Sequence, residues 1–222
     1  DYLQDCCTFE SEDFGVGVDY LAKEQVAWVL SSWEIKVYRY PQMGQHIKVS
    51  TWPYAFHGFY GYRNFRIEGE NGEIFAEANS VWVFMDTEKM RPTRVSERMQ
   101  EVYIPEIKDE LPGEWADRKI SLPDDAAQKS VEKEPVRVSR FYIDTNHHMN
   151  NGKYILVAEE YLPENVLVCG LRAEYRKAAM LGDMLYPVVT TEAEQITVTL
   201  ADEKGAPYAI ICFRIQKKER QS

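Results

Sequence analysis

Two stretches of this chain carry one pattern at an offset of about 138 residues. Trp28, Leu30, Trp33, Ile35 and Val37 correspond to Val166, Val168, Leu171, Ala173 and Tyr175, and the alternation changes parity once in each copy. A β-bulge at Ser31-Ser32 and at Val168-Cys169-Gly170 explains the change, because one extra residue moves the following side chains to the other face. Each copy then reaches a turn, Met43-Gly44 or Leu181-Gly182, followed by alternating strands from Ile47-Lys48-Val49 and Leu185-Tyr186-Pro187. Phe65-Arg66-Ile67 ahead of Asn71-Gly72 matches Val198-Thr199-Leu200 ahead of Lys204-Gly205, with both glycines at hairpin positions. The last strands run over Ile74 to Met85 and Tyr208 to Gln216. The repeat predicts an α+β chain of two similar domains, each one helix followed by about four antiparallel strands.

The second helix, expected from Gly152 to Tyr161, is apolar over most of its circumference and stops before Pro163. Such a helix needs cover on several sides, and a sheet wrapped round it provides that. Residues 105–135 hold Pro105, Pro112, Pro123 and Pro135 with many charges and no sustained period, the marks of a linker. The domains are therefore expected at 1–104 and 136–222. Tyr2, Leu3, Cys6 and Phe9 follow helical spacing, so the chain is expected to open inside a helix with a preceding segment, including a first strand, before Asp1.

Chemistry is densest at Asp144-Thr145-Asn146-His147-His148-Met149-Asn150-Asn151, just ahead of the apolar helix. If residues 141 to 148 are extended, Asp144, Asn146 and His148 share one face. A carboxylate, a neutral hydrogen-bonder and an imidazole beside unsatisfied helix N–H groups are the parts of a general-base site with an oxyanion pocket. The plainer alternative is a polar strand end and an Asn cap. His147 points the other way and reads as structural.

Composition narrows the partners. A formal charge of −10 excludes generic nucleic-acid binding, which needs a basic surface. No apolar run approaches the roughly 20 residues that cross a bilayer as a helix. Cys6, Cys7, Cys169 and Cys212 lack metal or disulfide spacing and read as reduced thiols, pointing to a cytoplasmic setting. His46 and His57 lack metal-like spacing, so no metal or cofactor is expected.

The pattern Asp144-x-Asn146-x-His148-x-Asn150-Asn151, followed by Lys153-Tyr154, together with Glu174-Tyr175-Arg176-Lys177, resembles the bacterial and plant acyl-ACP thioesterases. The likeness extends over almost the whole chain. It implies two fused hotdog domains, each a long helix gripped by an antiparallel sheet, with the acyl chain entering the first and the chemistry carried by the second. It also implies hydrolysis of acyl-ACP thioesters to free fatty acids, ending elongation, with acyl carrier protein bearing acyl-phosphopantetheine as partner. On this reading His148 accepts a proton from the attacking water and Asp144 orients it, or the two exchange roles. Asn146 and the N–H groups near Asn150 and Asn151 would stabilise the oxyanion.

Plant members carry an acidic residue and then Cys where this chain reads Ala178-Ala179, which disfavours a Cys–His nucleophile and favours direct attack by water. A non-catalytic acyl-thioester binding module, an acyl-CoA thioesterase and a hotdog dehydratase stand as alternatives. Trp52, Tyr54, Phe56, Phe59, Tyr60 and Tyr62 could line an acyl tunnel or serve as strand packing. Two basic clusters could meet an acidic carrier or its phosphate: Lys89, Arg91, Arg94 and Arg98, and Arg172, Arg176 and Lys177. The two halves could suffice as a pseudo-dimer or pair again as a homodimer.

Overall fold

A computed structural model describes residues 2–123 and 129–218. The chain divides into two compact units, Asp1–Ala116 and Asp117–Ser222, with the division inside the stretch expected as linker.

The first unit begins with helices α1 (Tyr2–Asp13) and α2 (Val18–Lys23). Strands β1 (Val26–Val37), β2 (Ile47–His57), β3 (Tyr60–Gly69) and β4 (Ile74–Asp86) follow. They pair antiparallel in the order β2-β3-β4-β1, and the short β5 (Arg91–Pro92) lies on β4. Helix α3 (Glu97–Tyr103), capped by the Ser96 hydroxyl accepting from the Met99 N–H, brings Met99 and Tyr103 onto Val16, Phe84 and Val95. Trp28 and Phe56 pack against this cluster. Burial of each such side chain stabilises by about 1.5–3 kcal/mol.

Helix α1 packs on β2, and its half-buried side is polar. The Cys7 thiol meets the Thr51 hydroxyl, Ser11 Oγ lies 2.7 Å from the Tyr103 hydroxyl, and Glu10 pairs with Arg63. Burial pushes the Cys7 thiol up to about 12, so it stays protonated. On the opposite face, residues 107–116 are strapped to the sheet. The Lys108 N–H donates to Pro53 O, the Leu111 N–H to Asn64 Oδ1, and the Ala116 N–H to Glu34. This part of the linker is held to the sheet by one backbone bond and by the side chains of Asn64 and Glu34.

The second unit repeats the arrangement. After β6 (Ser130–Glu132), β7 (Val136–Arg137) and a 3₁₀ turn at Arg140–Tyr142 come α4 (Asn151–Glu159), β8 (Val166–Tyr175), β9 (Met184–Thr191), β10 (Gln195–Ala201) and β11 (Pro207–Lys217). The order β8-β11-β10-β9 matches β1-β4-β3-β2 strand for strand, and β6 is added at the β9 edge. Both expected bulges are present: Ser31 is skipped where Leu30 and Ser32 face Trp82 and Val81, and Cys169 is skipped where Val168 and Gly170 face Ile215 and Arg214. Gly44 and Gly182 hold their equivalent turns at φ 81° and 93°, a region open to glycine at no steric cost. Helix α4 packs on β10 and β11 through Tyr154, Val157 and Ala158, and ends two residues before the expected Tyr161. A helix against one antiparallel sheet, twice in succession, is the hotdog architecture.

Candidate active site

The segment ahead of α4 is not extended. Ser139 O and Arg140 O accept from the N–H groups of Tyr142 and Ile143, winding Arg140–Tyr142 into a 3₁₀ turn. The chain then reverses: Ile143 pairs with Met149, the Asp144 N–H donates to His148 O at 2.9 Å, and the His147 N–H donates to Asp144 O at 3.1 Å. Asp144 Oδ1 accepts the Asn146 N–H at 2.8 Å, the hydrogen bond by which an Asp seeds a tight turn. His147 takes φ 63°, the left-handed conformation needed to close it. Local side-chain hydrogen bonding thus overrides the strand pattern read from alternation.

This reversal corrects the expectation of one shared extended face: Asp144 and His148 are paired through their backbones instead. Asp144 and His148 oppose each other at the neck of the hairpin, where facing positions direct side chains to the same side. Both are half-buried. Asn146 sits at the exposed tip, and His147 is exposed beside it.

The hairpin is tied to the start of α4. The Asn150 N–H donates to Tyr142 O at 2.8 Å, and its side-chain oxygen caps the helix by accepting the Gly152 N–H at 2.9 Å. Neither group is therefore offered to a ligand, which corrects the expectation for Asn150. The Asn151 N–H, at the first helical position, remains the candidate backbone donor, and Asn151 O accepts from the Tyr175 hydroxyl at 3.0 Å. Behind the hairpin, Ala179 O accepts the Met149 N–H, and Met180 pairs with His148.

Glu174 serves the scaffold. Its buried carboxylate accepts from the Ile120 N–H at 2.7 Å and from Arg176 at 2.8 Å. Burial alone would raise this carboxyl, but the Arg176 and Ile120 hydrogen bonds outweigh it and hold it below the ordinary range. Arg172 donates to the carbonyls of Asp117 and Lys119, and Lys177 pairs with Asp202. The second basic cluster is thus consumed internally. Lys89 pairs with Asp86, whereas Arg91, Arg94 and Arg98 are exposed, with no ion pair among the described residues.

The aromatic run on β2 and β3 divides between faces. Phe56 contacts Trp28 and Tyr103 in the core, while Tyr54 contacts Tyr62 and hydrogen-bonds Asn79 on the strapped face. A register shift between Pro53 and Ala55 causes the split.

Tyr154 and Tyr175, which the sequence motifs include without a role, have rings that meet at 5.8 Å and hydroxyls that fasten Ala179 and Asn151. The available signal was a tyrosine on the buried side of an apolar helix, where the hydroxyl requires a partner.

Over nearly its full length the chain superposes on solved thioesterase structures, which identifies the fold. An acyl-ACP thioesterase from Bacteroides thetaiotaomicron matches with TM-score 0.84 and 19% identity, covering 97% of this chain and 87% of that one. The 12:0-ACP thioesterase from Umbellularia californica matches with TM-score 0.83 and 20% identity over 98% and 88%. Residues 1–103 match the acyl-ACP thioesterase N-terminal domain and residues 125–209 the acyl-ACP thioesterase C-terminal domain. The chain belongs to the acyl-ACP thioesterase family. A chloroplastic acyl-[acyl-carrier-protein] hydrolase of Cuphea viscosissima is 32% identical over 70% of this chain and 39% of its own length. Oleoyl-acyl carrier protein thioesterase 2 of Arabidopsis thaliana is 26% identical over 89% and 58%. The chain thus spans about half the length of these plant relatives.

Proposed function

We propose that the protein hydrolyses acyl-ACP thioesters to free fatty acids and so ends chain elongation. The observation that supports this reading is the hairpin that pairs the Asp144 and His148 backbones just ahead of α4, in a chain of this family.

His148 takes a proton from water as the water oxygen bonds to the thioester carbonyl carbon. The resulting oxyanion is met by Asn146 and the Asn151 N–H, each well-placed donor contributing on the order of 10²-fold. Collapse breaks the C–S bond, and the proton held by His148 passes to the departing thiolate. Asp144 is assigned to orientation and charge, because one carboxylate oxygen is already pinned by its own turn. The resemblance puts Ala179 where plant members carry Cys, which disfavours a thiol nucleophile there, and burial raises the Cys212 thiol. The four cysteines are free, which supports a reducing, cytoplasmic setting.

Thioester turnover decides the assignment. His148→Ala and Asp144→Ala are expected to lose about 10²- to 10⁴-fold in kcat while remaining folded. His147→Gly, which suits the positive φ, keeps activity. Unchanged turnover in the first two variants rejects the assignment.

A further inference from the structure

The segment from Ala179 to Asp183 backs the candidate site, and a buried phenol holds it in place. Ala179 O accepts the Met149 N–H at 2.9 Å and Met180 pairs with His148, so this segment is the outer wall against which the catalytic hairpin rests. The Ala179 N–H in turn donates to the Tyr154 hydroxyl at 2.8 Å. One residue on, the Met180 N–H donates to Asp183 Oδ2 at 2.9 Å, and the same oxygen accepts from the Tyr208 hydroxyl at 3.1 Å.

Tyr154 is 2% exposed, and its ring alone would pack equally well as Phe against Tyr175. Its hydroxyl is what the Ala179 N–H requires, since a buried donor without a partner forfeits its hydration. Burial pushes the phenol up to about 12, and the charges of Asp183 and Asp144 add to the rise. The hydroxyl is therefore neutral across the working range and lies within the field of the candidate acid Asp144.

We propose that Tyr154 is a positioning residue: by accepting the Ala179 N–H, its hydroxyl fixes the 179–180 backbone that pairs with His148 and so sets where the imidazole stands. The inference rests on the hydrolytic reading of His148 and Asp144, but it has an observable of its own. The chain has four histidines, so the imidazole proton signals of His148 are separable by NMR from those of His46, His57 and His147.

The test compares full-length Tyr154→Phe with Cys212→Ala, which opens a small void in β11 and serves as a control for lost stability. Tyr154→Phe is expected to lower kcat at least fivefold on a short acyl thioester with KM within twofold. It should also move the His148 titration midpoint by at least about 0.3 pH units, leaving the other three histidines in place. Cys212→Ala moves neither quantity. If Tyr154→Phe lowers Tm but keeps the wild-type kcat and His148 titration, the hydroxyl is merely structural and the proposal fails. If the wild-type chain hydrolyses no thioester, the hydrolytic reading fails, and the His148 titration alone still decides whether Tyr154 positions the ring. Should Tyr154→Phe not fold, Tyr208→Phe loosens the same segment through Asp183 and must shift the His148 midpoint; no shift overturns the proposal.

Discussion

At the residue scale, the eight positions from Asp144 to Asn151 show how far side-chain identity reaches. The presence of acid, imidazole and carboxamides is plain in the sequence. Their geometry was misread because an Asp two residues before an Asn prefers its own turn to a strand, and His147 tolerates the left-handed conformation that completes it. Glu174 gives the converse lesson, since its charge reads like any solvated strand face and its burial came only with the fold. Its folded carboxyl titrates below the ordinary value of 4.5, so it contributes stability that is full above that value and lost as pH falls through the depressed one. Glu174→Gln should therefore cost about 1–2 kcal/mol near neutrality, with the deficit shrinking below about pH 4. Denaturant unfolding between pH 3 and 7 measures this; a deficit independent of pH contradicts the assigned ion pair.

Single extra residues govern the elements. The bulges at Ser31 and Cys169 were legible because the parity change recurs in both copies, and each re-aims the rest of its strand. The shift between Pro53 and Ala55 has no such echo, so the aromatic run on β2 was read as one group when it serves two faces. Gly61 is the sharpest packing constraint on β3, because a Cβ there would stand 2.9 Å from the Trp28 ring, which is itself wedged against Phe84 at 4.7 Å. Gly61→Ala is expected to destabilise by about 1–3 kcal/mol, with near-ultraviolet dichroism reporting the displaced indole. A neutral result would mean that Trp28 has room to move.

For the whole molecule, charge distribution matters more than its sum. The net −10 opposes an acidic partner, but Arg91, Arg94 and Arg98 are exposed within one short segment and lack ion pairs among the described residues. If carrier docking uses them, Arg91→Glu with Arg94→Glu should raise KM for a carrier-linked thioester about tenfold at low ionic strength, and much less at high salt. Turnover of a short free thioester should be unaffected, and equal effects on both substrates would exclude docking there. By itself the sequence determined the duplicated α+β plan, the bulges and turns within it, and the segment that concentrates the chemistry, because periodicity and residue type are local properties. Only the tertiary structure decided which charges are spent on the scaffold, that the Asp144 and His148 backbones pair in a hairpin, and that the Tyr154 hydroxyl holds Ala179. The scaffold charges and Tyr154 depend on partners that the fold brings together from distant parts of the chain, and the hairpin on side-chain hydrogen bonds that alternation does not reveal.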